Sequence, residues 1–153
     1  MVVHQDSTNI KTEKEMRKIN LIVIHCADTY ASMDIGVKEI REWHLARGFN
    51  DIGYHYVIRR DGTIESGRPL EKPGAHAAGY NSYSVGICYA GGKGKDGRPE
   101  DNRTPEQKQA MHDLVTSLKQ QFPQAEVTGH RDLPGVRKAC PCFSVAYEFA
   151  NKK

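Results

Sequence analysis

The chain has 153 residues, a formal net charge of +3, 38% hydrophobic and 27% charged residues, and four cysteines. That length suits one domain with a single core that folds without staples, and the composition is ordinary for a soluble globular protein. The charge is too small to argue for a nucleic-acid partner, and four cysteines are too few for a disulfide scaffold in a chain this long.

Residues 1–18 carry mixed charge and little apolar content, which predicts a mobile N-terminal arm ahead of a domain over residues 19–153. The first twenty residues hold no apolar run that could serve as a signal peptide or a membrane span. Synthesis in the cytoplasm with action after release is therefore expected, unless a leader has been removed.

Residues 19–27 read as a strand buried on both sides: Leu21, Val23 and His25 fall on one face, Ile22, Ile24 and Cys26 on the other. Asp34 is positioned to cap a helix with Val37, Ile40, Trp43 and His44 at helical spacing, closed by Gly48. Tyr54 to Arg60 alternates as a strand, Asp61–Gly62 forms a tight turn, and Thr63 to Ser66 returns antiparallel. Residues 67–83 are rich in Gly, Pro and Ala and carry His76 and Asn81, the makings of a surface loop on the rim of a binding site.

Val85 to Tyr89 is a short apolar strand. The glycine-rich run that follows it lacks the Gly-Lys-Ser/Thr ending of a phosphate loop and reads as a flexible connection. Thr104–Pro105–Glu106–Gln107 starts a helix that continues through Met111, Leu114, Val115 and Leu118, with His112 on its solvated face. Glu126 to Gly129 is the last strand, and Phe143, Ala146, Tyr147 and Ala150 predict a short C-terminal helix. Strands and helices alternate without repeats, which predicts an α/β domain: a central mixed sheet flanked by helices.

Chemistry concentrates in Gly129–His130–Arg131–Asp132–Leu133–Pro134–Gly135–Val136–Arg137–Lys138–Ala139–Cys140–Pro141. Imidazole and thiolate are the side chains tetrahedral zinc prefers, and His25, at the end of the first strand, is the best third donor. His25, His130 and Cys140 together would bind one Zn2+ per chain and leave one position open, as catalytic rather than structural zinc sites do. Such zinc polarises a carbonyl and lowers the pKa of its water to about 7, the two requirements of amide hydrolysis. Lys138, two residues before the cysteine, then becomes a candidate for stabilising an oxyanion.

These residues carry a resemblance. The segments Val23–Ile24–His25–Cys26–Ala27, Gly53–Tyr54–His55–Tyr56, Arg60–Asp61–Gly62–Thr63, His76–Ala77–Ala78–Gly79–Tyr80–Asn81, Val85–Gly86–Ile87, Gly129–His130 and Lys138–Ala139–Cys140–Pro141 occur in order over residues 19–149. In them the chain resembles the type-2 family of zinc-dependent N-acetylmuramoyl-L-alanine amidases, which includes small phage lysozymes that are chemically amidases. The resemblance implies that His25, His130 and Cys140 bind zinc, that Tyr54 and Lys138 assist catalysis, and that the substrate is the bond from N-acetylmuramic acid to L-alanine in peptidoglycan. Tyr54 is expected to donate a hydrogen bond, since a phenol with a pKa near 10 is a poor base at neutral pH.

His76, with Asn81, Trp43 and His44, is assigned to the substrate groove. Cys142 is an alternative ligand, but Cys140 is favoured because Pro141 follows it as in the family pattern. The expected partner is peptidoglycan, with no nucleic acid and no membrane, and the expected state is a monomer. The competing expectation is a recognition module that shares the fold and groove but only binds peptidoglycan; such proteins lose the cysteine ligand, which this chain keeps.

Overall fold

The computed structural model describes residues 16–150. The predicted arm therefore falls almost wholly outside the described residues. At its inner end, Arg17 donates to the carbonyls of Leu70, Asn81 and Ser82 at 3.1, 3.3 and 3.2 Å.

Five strands form one mixed sheet: β1 (Leu21–Cys26), β3 (Tyr56–Ile58), β4 (Ile64–Ser66), β5 (Ser84–Tyr89) and β7 (Glu126–Gly129), in the order β4-β3-β5-β1-β7. β1 lies parallel between β5 and β7, β3 runs parallel to β5, and only the β3–β4 pair is antiparallel. Short β2 (Thr29–Tyr30) and β6 (Gly92–Lys93) pair separately, so the glycine-rich connection contributes a strand of its own. The helices are α1 (Val37–Ala46), α2 (Pro105–Gln121) and the single-turn α3 (Val145–Glu148).

A parallel sheet needs cover on both faces, and alternation along β1 supplies it. Ile22, Ile24 and Cys26 pack with Ile87 and Tyr89, under Met111, Leu114, Val115 and Leu118 of α2 and beside Val145 and Phe149. On the opposite face, Val37 and Ile40 of α1 pack with Ile52, Val57 and Cys88, while Val23 packs with Ala77 and Leu133. His25 follows Val23 on that second face, at the carboxyl end of β1.

The predicted hairpin forms. The Arg59 N–H donates to the Thr63 carbonyl at 2.8 Å, Asp61 Oδ1 accepts from the Thr63 N–H at 2.9 Å, and Gly62 supplies a φ of 91° that a side chain would resist. Strand β3 is shorter than predicted and leaves Tyr54 just ahead of it, its carbonyl accepting from the Arg68 N–H at 2.9 Å.

Helix α2 starts as predicted. Thr104 Oγ1 accepts from the Gln107 N–H, and Gln107 Oε1 accepts from the Thr104 N–H, both at 3.0 Å. Removing the cap by Thr104→Ala should lower stability by about 1 kcal/mol, read as a lower urea midpoint at unchanged slope.

Three local expectations are corrected. Asp34 does not cap α1: it accepts from Arg59 at 3.1 Å, while Glu39 and Glu65 accept the first N–H groups, those of Gly36 and Val37, each at 2.8 Å. His112 is not merely solvated: its Nε2 lies 2.8 Å from Glu148, and its ring stacks on Phe149. In α3 the buried side chain is Val145, packed with the flanking Phe143 and Phe149, whereas Tyr147 is 87% exposed.

Candidate active site

In open α/β sheets, ligands bind beyond the carboxyl ends of the strands. Here the neighbouring parallel strands β1 and β7 end at Cys26 and Gly129, which places His25 in the last pair of β1 residues and His130 just past β7, and the turn after His130 brings the chain back to Cys140. The potential ligand atoms of His25, His130 and Cys140 all lie within 4.8 Å of one another. The rings of His25 and His130 are 4.5 Å apart between centroids.

Backbone bonds fix the cysteine loop. The Arg131 N–H donates to the Cys140 carbonyl at 2.8 Å, and buried Tyr89 donates its hydroxyl to the Pro141 carbonyl at 2.6 Å. Cys140 Sγ accepts from the Cys26 N–H at 3.1 Å, which holds the sulfur beside the carboxyl end of β1. Cys142 does not join this group. Its Sγ lies 3.8 Å from that of Cys26, and burial pushes its thiol up to about 12. All four cysteines are free thiols.

The donor set suits a metal. His25 is 1% exposed, and burial first, then the nearby His76, His130 and Lys138, hold its pKa well below the usual imidazole value. Burial, followed by Lys138, lowers that of His130 too. Both imidazoles are therefore neutral near pH 7, which leaves a lone pair available for coordination. Two imidazoles and a thiol at this separation match the chemistry of a tetrahedral zinc site with three protein ligands.

Around them runs a cleft of about 840 Å³, lined among others by His44, Arg47, Phe49, Tyr54, His76, Asn81 and Lys138. Tyr54 packs against His25 at 5.0 Å between ring centroids, and burial pushes its phenol well above the usual value, so it remains an O–H donor. Lys138 stands exposed on the site loop.

The residues assigned to the substrate groove divide. His76 lines the cleft and is bonded to His25. Asn81 organises the loop, its Oδ1 accepting from the His76 and Ala77 N–H groups at 2.9 Å each. His44 reaches the cleft but is also a packing residue: its Nδ1 accepts from the Gly53 N–H at 2.9 Å, and its ring rests on Phe49 and Tyr54. Trp43, one position round the helix, is 40% exposed and is not among the residues lining the cleft. Sequence reasoning missed Arg47, whose guanidinium sits 5.3 Å from the Phe49 ring centroid, although it stands one turn after His44 on the same helical stripe.

Residues 15–143 match the N-acetylmuramoyl-L-alanine amidase family. The chain belongs to that family. It is 49% identical over 124 residues to an endolysin of Klebsiella phage KP32, covering 81% of each chain, and 39% identical over 132 residues to the endolysin of Escherichia phage T7, covering 86% of each. The structure resembles the N-acetylmuramoyl-L-alanine amidase LysC from Clostridium intestinale at a TM-score of 0.72 and 30% identity, over 88% of this chain and 83% of that one. The amidase described here is thus a peptidoglycan-cleaving hydrolase, and the His25–His130–Cys140 group at the base of its cleft is a possible metal site.

Proposed function

We propose that this amidase hydrolyses the bond between N-acetylmuramic acid and L-alanine with one Zn2+ held by His25, His130 and Cys140, and that Lys138 and Tyr54 stabilise the transition state. The observation that carries the reading is the convergence of two neutral imidazoles and a backbone-bonded cysteine sulfur at the floor of the cleft. When bound, zinc supplies Lewis-acid polarisation and acidification of water at neutral pH.

The chain's own groups do the rest. Lys138 brings a positive charge to the cleft two residues before the cysteine, where negative charge develops on the attacked carbonyl oxygen. Tyr54 adds a phenolic O–H donor on the side of His25. The more exposed wall formed by Arg47, Phe49 and Asn81 receives the glycan and peptide flanking the scissile amide. All three metal donors come from one chain, so the site is complete without a second copy, and we read the protein as acting as a monomer. Among the described residues no helix is long and apolar enough to cross a membrane. Synthesis in the cytoplasm, with action on the wall after release, completes the reading.

The test is digestion of purified sacculi followed by mass spectrometry. Zinc-loaded protein should liberate peptides with free L-alanine amino ends and leave intact lactyl groups on the glycan; turnover that persists at full rate after chelation would overturn the metal reading. Lys138→Ala should retain stoichiometric zinc yet lose about a hundredfold in rate, the loss expected for one oxyanion donor. An unchanged rate would make Lys138 an ordinary surface charge.

A further inference from the structure

His25 must present a lone pair to a metal, and an imidazole has two nitrogens. Its Nε2 lies 2.8 Å from His76 Nδ1, and the other nitrogen of His76, Nε2, lies 3.1 Å from Ser84 Oγ. Among the described residues His25 Nδ1 has no hydrogen-bond partner, so Nδ1 is the nitrogen left for coordination. A run of three side chains with shared protons has two possible directions. If His25 donates its Nε2–H to His76, and His76 donates its Nε2–H to Ser84, then His25 Nδ1 carries the lone pair. If the run is reversed, His25 carries its proton on Nδ1 and cannot ligate through it.

The site is built to hold His76 in this place. Ser84, Gly86 and Cys88 alternate onto the face of β5 that pairs with Leu21, Val23 and His25, and the His76 ring lies flat over Gly86. A Cβ on Gly86 would come within 2.6 Å of the ring, so only glycine leaves the space. Asn81 ties down the His76 and Ala77 N–H groups, and Ser84 is fully buried.

The geometry points to His76 as a positioning residue that acts through His25: with Ser84 behind it, it fixes the His25 tautomer that exposes Nδ1 to the metal. This deepens the zinc reading and rests on it. It also gives His76 a task other than the substrate contact that the sequence suggested. Outer partners of this kind are typically worth about 10–100-fold in metal affinity.

The experiment uses the full chain in two arms. In the first, nitrogen-15 NMR of the metal-free protein reads the His25 tautomer. Wild type should be protonated on Nε2, His76→Asn, whose carboxamide oxygen can take the place of Nδ1 as acceptor, should keep that state, and His76→Ala and Ser84→Ala should shift it toward Nδ1–H. In the second, competition with a chromophoric chelator measures zinc affinity. His76→Ala should bind about 10–100-fold more weakly, with His76→Asn restoring most of the loss and Ser84→Ala lying between.

A wild-type His25 protonated on Nδ1, or His76→Ala with unaltered tautomer and unaltered zinc affinity, overturns the proposal. Loss of turnover in that variant at full affinity would return His76 to the substrate groove. If wild type itself takes up no zinc, the metal reading fails, and the tautomer arm still decides whether His76 sets the state of His25. Should His76→Ala not fold, Ser84→Ala and His76→Asn carry both arms.

Discussion

His130→Ala and Cys140→Ser should each abolish stoichiometric zinc binding and reduce wall hydrolysis to background, while leaving a folded domain. Replacing the cysteine by serine keeps the loop bonds, because the Arg131 N–H and the Tyr89 hydroxyl reach main-chain carbonyls of Cys140 and Pro141 and not the sulfur. What it removes is the soft donor that receives the Cys26 N–H. With His25 and one other ligand remaining, affinity falls below what holds a metal through purification, and the cleft loses its electrophile. The check is metal analysis beside circular dichroism: a folded variant that retained one zinc per chain would remove that residue from the ligand set. Cys142→Ser is the contrasting control, because Cys142 lies outside the group of potential ligands.

Two of the three proposed ligands, His25 and His130, were legible because they sit where local pattern has a strict meaning. Period-two alternation in Leu21–Cys26 put His25 on the face opposite Ile22 and Ile24, and a strand ending in Gly129 delivered His130 beside it, since the two strands are parallel neighbours. What joined Cys140 to them was its chemistry and the resemblance, not any periodicity. The hydrogen bond between His25 and His76 had no such signal: the residues are 51 positions apart, and His76 lies in a loop whose course depends on Arg17, Asn81 and Ser84.

The fold shows the same division. Strands and the capped helix α2 were readable because their patterns are local and strong. The start of α1 was displaced because Arg59, twenty-five residues away, claims Asp34, which leaves Glu39 and Glu65 to receive the helix N–H groups. The one-turn helix α3 was misphased because its orientation is set by the bonds of Glu148 to Arg103, in the loop before α2, and to His112 of α2, and not by an apolar stripe. Those pairs have a measurable consequence.

Arg103 is the centre of that arrangement. Its side chain is 1% exposed, it donates to Glu148 at 2.7 and 2.9 Å and to Asp101 at 2.9 and 3.0 Å, and its guanidinium lies 3.5 Å from the Phe143 ring centroid. Arg103→Ala should cost about 3 kcal/mol, because it deletes a buried cation and leaves two carboxylates, each about a quarter exposed, without their partner. The pH dependence separates this from simple loss of packing. Burial pulls the pKa of Glu148 upward, but bonds from Arg103 and His112 outweigh it and hold the group below its ordinary 4.5; at Asp101 burial likewise opposes, and Arg103 again wins, below 3.8. A carboxylate depressed in the folded state lends stability that is complete above its unfolded pKa and disappears as pH falls through the folded one. Wild-type stability should therefore decline steeply below about pH 4.5, whereas Arg103→Ala, already less stable at pH 7, should show a shallower decline over the same window. Parallel slopes in urea titrations at successive pH values would mean that the cation contributes through its contact with Phe143 alone. Because the same residues anchor α3, and with it the chain that leaves Cys140, the variant should also bind zinc more weakly at pH 7 than Thr104→Ala, which leaves the bonds from Arg103 to Glu148 in place.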